Sequence, residues 1–301
     1  MTIVERAVEK VRQQRGESAP AALSPGALDS AGVRGVAAEP GREPRIAARG
    51  PKLTLDLDEL GRLGEITWPA SDARKRNEFR LIRRQLLSSL AELPPRGRNE
   101  GAVVAVTSAT SGEGKTFTSF NIARAIAEHS GNAVILVDAD LARGTLSHTL
   151  GAENRPGVAD FLRGTQVELD ALVSPTSEPR LAFLSSGVHT DGAHHLLAGN
   201  RTHQLIHRLR AIADGAVVIL DCSPVLLTED AGHIAGSVDR VIFVVRAGVT
   251  LGDAVAEGVD RLGAREKTLL VLNGWEPVRP SERDFNSQHY NYYESQARKN
   301  R

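Results

Sequence analysis

Between residues 100 and 275, short apolar runs alternate with longer segments whose apolar residues have helical spacing. Runs such as Val134-Ile135-Leu136-Val137 contain no polar position, which is typical of strands buried on both faces. The apolar runs predict strands at 102–107, 133–138, 181–185, 216–221, 240–246 and 267–272. The segments between them predict helices at 115–130, 157–164, 202–213 and 251–263. Strands joined through helices pair in parallel, so we predict an α/β fold with a doubly wound, mostly parallel sheet flanked by helices.

A long basic helix is predicted ahead of the first strand. Ser71 or Asp72 caps it, and Pro94-Pro95 end it near residue 92. It carries a stripe of apolar residues at helical spacing: Phe79, Ile82, Leu86, Leu87 and Leu90. Its many arginines make it a candidate contact between subunits, with a solvated charged face as the alternative.

The two ends of the chain differ in composition from its centre. Residues 2–14 have helical spacing, whereas the segment up to about residue 50 is rich in Ala, Gly, Pro, Ser and Arg and has no period, as in a flexible linker. Leu53, Leu55 and Leu57 alternate with polar residues, which favours a short extended piece docked on the domain. We therefore expect an N-terminal helix plus disordered linker at 1–70, a folded α/β domain at 71–275 and a mobile polar tail at 276–301.

Composition narrows the classes of partner. The formal net charge is zero, which predicts no nucleic-acid partner. The single cysteine, Cys222, excludes an internal disulfide and fits a reducing compartment. No apolar run reaches the ~18–20 residues of a membrane span, and the N-terminus lacks a secretory apolar stretch. We expect a cytoplasmic protein that reaches the inner face of a membrane only through a partner.

Residues 102–116, AVVAVTSATSGEGKT, predict a phosphate-binding loop between a strand and a helix. Small residues let backbone N–H groups approach phosphate oxygens, and the helix start adds further free N–H groups. Lys115 is expected to reach the β- and γ-phosphates of ATP, and the Thr116 hydroxyl to bind Mg²⁺. The motif departs from GxxxxGK[ST] only at Ala109. The residues expected to contact the nucleotide are Ser111, Gly112, Glu113, Gly114, Lys115, Thr116 and Phe117.

Aspartates end two of the predicted strands. Asp138 and Asp140 close the run that begins at Val134, and Asp221 closes the run that begins at Ala216. Ligands of parallel sheets sit at the carboxyl ends of the strands, so we expect all three carboxylates to converge on the P-loop. Magnesium often takes only one or two protein carboxylates, which leaves one for proton handling. The alternative is that each aspartate caps a helix.

The segments SATSGEGKT, VILVDADLAR and VVILDCSP resemble bacterial tyrosine kinases of the polysaccharide-export type, P-loop enzymes related to MinD and ParA ATPases. The chain also resembles a narrower group, the exosortase-associated tyrosine autokinases, which lack a fused membrane domain. This narrower resemblance is carried by the segments TIVERAVEK, NEFRLIRRQLL and ENRPGVADFL. The resemblance implies a homo-oligomer that phosphorylates itself in trans and a membrane polysaccharide co-polymerase as partner. It also implies that Asp138 is the base for a tyrosine hydroxyl, that Asp140 and Asp221 hold Mg²⁺, and that Asn273 reads adenine.

All three tyrosines of the chain, Tyr290, Tyr292 and Tyr293, lie in the polar tail. A tyrosine ring contributes little to stability outside a core, so a cluster there favours another use. The resemblance implies that these are the phosphoacceptors. A chance cluster or a tail that binds a partner is the alternative.

The chain also departs from the pattern that it resembles. The arginine usual at the position of Ala142 comes one residue later, at Arg143, and Ser223 and Ser111 stand where prolines are usual. These departures keep open a catalytically weak ATP-binding scaffold. A MinD/ParA-type ATPase is the other alternative, but Thr110 occupies the position of its signature lysine.

Overall fold

A seven-stranded sheet organises the computed structural model, which describes residues 44–275 apart from 65, 70, 95–99, 130, 166, 189–195 and 198–199. The predicted helix at 2–14, most of the linker and the tail with its three tyrosines lie outside the described residues. No helix in the described part of the chain is long and apolar enough to cross a membrane.

The strand order is β3-β4-β2-β5-β1-β6-β7, and every neighbouring pair is parallel except β3 and β4. All six predicted strands are present, with ends within a residue of the prediction, so the predicted fold class is confirmed. The two-residue β3 was too short to be predicted. The strands are β1 (Ala102–Ser108), β2 (Val134–Asp138), β3 (Ser174–Pro175), β4 (Leu181–Leu184), β5 (Val217–Asp221), β6 (Arg240–Arg246) and β7 (Thr268–Asn273).

Helices cover both faces of the sheet. The predicted ones are α2 (Ala73–Ala91), α3 (Lys115–Ala127), α5 (Val158–Arg163), α7 (Asn200–Ile212) and α9 (Gly252–Leu262). Asp72, not Ser71, caps α2, and its side chain accepts a hydrogen bond from the Lys75 N–H at 3.1 Å. Four further helices of four to seven residues were not predicted, because each is too short to show a clear helical period. These are α1 (Leu57–Leu63), α4 (Thr145–Thr149), α6 (Leu169–Leu172) and α8 (Asp230–Ala235).

Alternate residues of the central strands serve two separate cores. Val104 and Val106 of β1 face one core, which α2 and α3 cover with side chains such as Leu86 and Ile126. Val103 of β1 faces the other core, which α5, α7, α8 and α9 cover. Because β1, β2 and β5 are buried on both faces, their carboxyl ends are held rigidly at one rim of the sheet.

The chain before α2 packs along the domain. The Arg45 N–H donates to the Asp214 carbonyl at 2.8 Å, the Arg49 N–H donates to the Asp170 carbonyl at 2.7 Å, and Leu53 bridges to Thr176 beside β3. This covers the β3 edge of the sheet, which would otherwise expose unpaired backbone groups. The packed domain therefore begins well before the boundary expected at residue 71, because this segment is held by backbone hydrogen bonds, which any residue can make and which leave no sequence pattern.

An aromatic cluster then joins the N-terminal segment to the helix that follows the P-loop. The Trp68 ring stacks on Phe79 with centroids 4.9 Å apart and lies 5.8 Å from Phe117 of α3. Beside it, Asn121 of α3 donates its amide N–H to the Ile66 carbonyl at 2.7 Å and accepts from the Thr67 hydroxyl at 2.8 Å. The segment before α2 thus fixes the orientation of α3, on which Lys115 and Thr116 sit.

Candidate nucleotide-binding site

The loop between β1 and α3 forms a cradle at the carboxyl rim of the sheet. Gly112 and Gly114 both have positive φ angles, +80° and +91°, which favour glycine. A Cβ built on Gly112 meets no atom within 4 Å, so this part of the loop faces open space. A Cβ on Gly114 would collide with the Asn273 amide, so a larger residue there would displace the Asn273 side chain. The backbone is therefore shaped for close approach of a phosphate.

Four charged side chains meet beside this cradle. Asp138 and Asp221 are register partners at the ends of the neighbouring strands β2 and β5. The Lys115 Nζ lies 3.5 Å from the Asp140 Oδ2, and both side chains are less than a tenth exposed. The rim thus holds one cation and three carboxylates from residues far apart in the sequence.

Asp221 carries the least compensated charge of the site. Its Oδ1 accepts a hydrogen bond from the Ser119 hydroxyl at 3.0 Å, whereas its buried Oδ2 accepts none from the described residues. Burial raises the pKa of Asp221 to about 7, and the neighbouring Asp138 charge adds to this rise. The Lys115 charge and the Thr116 hydroxyl act in the opposite direction. An additional cation would relieve this cost.

Asp138 has no exposed surface, and its carboxylate is held by Ser147. Its Oδ2 accepts from both the backbone N–H and the hydroxyl of Ser147, each at 2.7 Å, and its Oδ1 accepts from the Asp140 N–H at 3.3 Å. Burial raises its pKa to about 6 despite these bonds. The expected base is therefore turned toward α4, and it can meet a tyrosine hydroxyl only after Oδ1 is uncovered. Ser147 was missed because a serine in a five-residue helix gives no sequence signal.

Asp140 is oriented by one of the unusual residues. The Ser223 hydroxyl, at a position where a proline is usual, donates to the Asp140 Oδ1 at 3.0 Å. The Asp140 Oδ2 is then left facing Lys115 and accepts no hydrogen bond from the described residues. The departure at Ser223 therefore adds a donor to the site. Ala142 and Arg143, the other departure, are both exposed.

The remaining predicted residues are divided between the cradle and the protein interior. The Ser111 hydroxyl is buried in the loop and has no hydrogen-bond partner among the described residues. The Glu113 carboxylate turns inward and accepts from the Thr110 N–H at 2.7 Å. The Phe117 ring belongs to the Trp68 cluster. Glu113 and Phe117 therefore offer a nucleotide only their backbone. The Asn273 amide donates to the Glu113 carbonyl at 2.9 Å, which leaves its Oδ1 for a base.

The donor set fits Mg²⁺. Within the described ranges, no three or more His, Cys, Asp or Glu side chains form a ready-made metal cage. Magnesium does not require one, because it keeps several waters and takes one or two carboxylates plus phosphate oxygens. Thr116, Asp140 and Asp221 would supply a hydroxyl and two buried carboxylate oxygens that accept no other hydrogen bond.

Known nucleotide-binding proteins and tyrosine kinases are similar to this chain. Residues 104–283 match the family described as the CobQ/CobB/MinD/ParA nucleotide binding domain. The tyrosine-protein kinase YwqD of Bacillus subtilis is 30% identical over 63% of this chain and 76% of its own length. EpsB of Ralstonia nicotianae is 34% identical over 48% of this chain. The crystal structure of the VpsO kinase domain matches 67% of this chain and 97% of its own, with 28% identity and a TM-score of 0.56.

The relatives differ greatly in length. The chain spans 19% of the Ralstonia nicotianae EpsB and 24% of the Ralstonia solanacearum EpsB, but 76% of YwqD. The chain therefore corresponds to only a part of the two EpsB proteins and to most of YwqD. On these matches, the chain belongs to the CobQ/CobB/MinD/ParA nucleotide-binding domain family and, within it, to the bacterial tyrosine kinases.

Proposed function

We propose that this protein is an ATP- and Mg²⁺-dependent tyrosine autokinase that phosphorylates Tyr290, Tyr292 and Tyr293. The observation that carries the proposal is the position of Lys115 beside Asp140 and Asp221 at the mouth of an open P-loop. Phosphoryl transfer needs alignment and charge neutralisation more than covalent chemistry from the protein. A cationic cradle facing buried carboxylates supplies both.

Each residue of the site has a separate task in this proposal. The P-loop N–H groups and Lys115 bind and neutralise the phosphates, while Thr116, Asp140 and Asp221 hold Mg²⁺. When bound, the metal withdraws charge from the phosphate oxygens and orients them. Asp138 accepts the tyrosine proton at Oδ1, the oxygen that Ser147 leaves free. A pKa of about 6 suits a general base that works near neutral pH, since the carboxylate is then largely ionised but still basic enough to accept a proton.

In this proposal the acceptor is the tail of a neighbouring subunit, as the resemblance to bacterial tyrosine kinases implies. The basic helix α2 supports the oligomer as a contact surface. Several phosphates, each with nearly two negative charges, would loosen such an assembly by repulsion. We further propose that assembly regulates exopolysaccharide polymerisation and export through a membrane co-polymerase, and that this partner recruits the protein from the cytoplasm to the membrane.

One observation favours a second candidate, an ATP-binding scaffold with weak catalysis. The carboxylate of Asp138 is fully buried and bound by Ser147, so the base is not presented to a substrate in this conformation. A scaffold would bind ATP and Mg²⁺ through the same P-loop without transferring phosphate to tyrosine.

A mixing experiment tests the kinase proposal. Lys115→Met keeps the acceptor tyrosines without the cationic cradle, whereas a variant with all three tyrosines changed to Phe keeps the cradle without acceptors. Incubated with labelled ATP and Mg²⁺, neither variant alone should gain phosphotyrosine, but the Lys115→Met chain should gain it in the mixture. Label in the wild type but not in the mixture would contradict transfer in trans. Nucleotide binding without label in any sample would select the scaffold.

A further inference from the structure

Side chains from the end of β6, from the β6–α9 loop and from β7 hold the outer side of the P-loop. Arg246 donates to the Gly112 carbonyl at 3.0 Å, and Asn273 donates to the Glu113 carbonyl at 2.9 Å. The Thr250 hydroxyl donates to the Glu113 Oε1, while the Glu113 Oε2 accepts from the Thr110 N–H at 2.7 Å. We call Glu113, Arg246, Thr250 and Asn273 the P-loop clasp.

Thr250 is the residue of the clasp that joins two loops through a single hydroxyl. Its Oγ1 accepts from the Arg246 N–H at 2.9 Å and donates to Glu113. A chain of hydrogen bonds therefore runs from the end of β6 through Thr250 and Glu113 to the backbone of Thr110. Glu113 itself is only 2% exposed, so its carboxylate depends on these donors in place of water.

The clasp acts on the backbone orientation that phosphate binding requires. A loop that points its N–H groups into a cradle points several carbonyl groups outward, and these need donors. Arg246 and Asn273 supply donors to two consecutive carbonyls, and Glu113 fixes the start of the loop at Thr110. Without these bonds the loop samples more conformations, and ordering it on nucleotide binding costs conformational entropy.

We propose that Thr250 is a positioning residue for nucleotide binding, and that it acts through Glu113 to hold the P-loop in its phosphate-binding conformation. This role rests on the proposed ATP-dependent function but concerns a residue outside the P-loop motif. Because the loop is ordered equally in the ground state and in the transition state, losing the Thr250 hydroxyl weakens ATP binding and leaves the chemical step nearly unchanged.

The test replaces the Thr250 hydroxyl with a methyl group and keeps the shape of the side chain. In Thr250→Val, the buried Glu113 Oε1 loses its donor, and the Kd and KM for ATP should rise about five- to tenfold while kcat changes less than about twofold. Thr250→Ser, which restores the hydroxyl, should return both constants close to wild type. Thr268→Val is the matched control, since the Thr268 hydroxyl likewise donates a hydrogen bond, to the Ala264 carbonyl at 2.8 Å, away from the P-loop.

Several outcomes would overturn the inference. The first is a Thr250→Val protein whose Kd and KM for ATP equal those of the wild type. The second is a Thr250→Val protein with a lower kcat and an unchanged KM, which indicates a smaller fraction of active protein. Failure of Thr250→Ser to restore binding would also do so. Thr250 is half-buried on a surface turn, and Glu113→Gln provides a second variant that should weaken ATP binding in the same way. If the wild type itself binds no ATP, the proposed function fails instead.

Discussion

Asp221→Asn should stabilise the nucleotide-free protein and, in the same variant, abolish Mg²⁺-dependent ATP binding. Asp221 has no exposed surface, and burial raises its pKa from 3.8 to about 7. A rise of about three units corresponds to about 4 kcal/mol of destabilisation when the folded protein holds this group ionised. The amide introduced at position 221 has two N–H groups that lack a hydrogen-bond partner, and burying them costs about 1–2 kcal/mol of stability. The expected net gain above pH 7 is therefore about 2–3 kcal/mol.

The pH dependence has a definite sign. Because the pKa of Asp221 is higher in the folded state, that state binds more protons than the unfolded chain between about pH 4 and pH 7. Wild-type stability should therefore fall as the pH rises from about 4 to about 7. Asp138, with a pKa of about 6, adds to this fall as the pH rises toward 6. Asp221→Asn should be about 1–2 kcal/mol less stable than wild type near pH 4, should gain stability relative to wild type up to pH 7, and the difference should then level off.

Urea unfolding in EDTA without nucleotide measures the difference in the free energy of unfolding between Asp221→Asn and wild type. The measurement is made at several pH values between 4.5 and 8. Asp253→Asn is the control, since Asp253 is an exposed residue in the first turn of α9 and should change stability by less than about 0.5 kcal/mol at every pH. If Asp221→Asn were less stable than wild type at pH 8, or if its advantage did not grow with pH, the assigned electrostatics of the site would be refuted.

Three further variants test other parts of the site and its support. Trp68→Ala should lower the free energy of unfolding by about 3–5 kcal/mol in urea titrations, because Trp68 is 5% exposed, whereas Trp275→Ala, at a residue 59% exposed, should cost less than about 0.5 kcal/mol. Ser223→Ala should raise the Mg²⁺ concentration for half-maximal ATP binding about fivefold, and an unchanged value would exclude a positioning role. Gly114→Ala should weaken ATP binding at least about tenfold in equilibrium titrations, through its positive φ and the collision with Asn273; wild-type affinity would contradict this geometry.

The central sheet and its chemical rim were the most predictable parts of the molecule. Continuous apolar runs locate buried parallel strands, and the carboxyl ends of such strands share one rim. The structure indeed brings Asp138 and Asp221 into register on β2 and β5, beside Lys115. These features depend on periodicity and topology, which the sequence carries locally.

Features that depend on distant polar contacts could not be predicted. The bond between Thr250 and Glu113 joins residues 137 positions apart. The P-loop motif locates Glu113 but does not show that its carboxylate turns inward, and no local pattern marks Thr250. The packing of Arg45 and Arg49 along the domain uses backbone groups, which all residues share. The orientation of the Asp138 carboxylate depends on Ser147, so the sequence could place the aspartate at the rim but could not show that it is covered.

Phosphopeptide mapping of the wild-type chain after incubation with ATP and Mg²⁺ tests the central claim most directly. The account predicts phosphate on Tyr290, Tyr292 and Tyr293, and no phosphotyrosine in Lys115→Met treated in the same way. ATP bound and hydrolysed by the wild type with no phosphate on any tail tyrosine would contradict it.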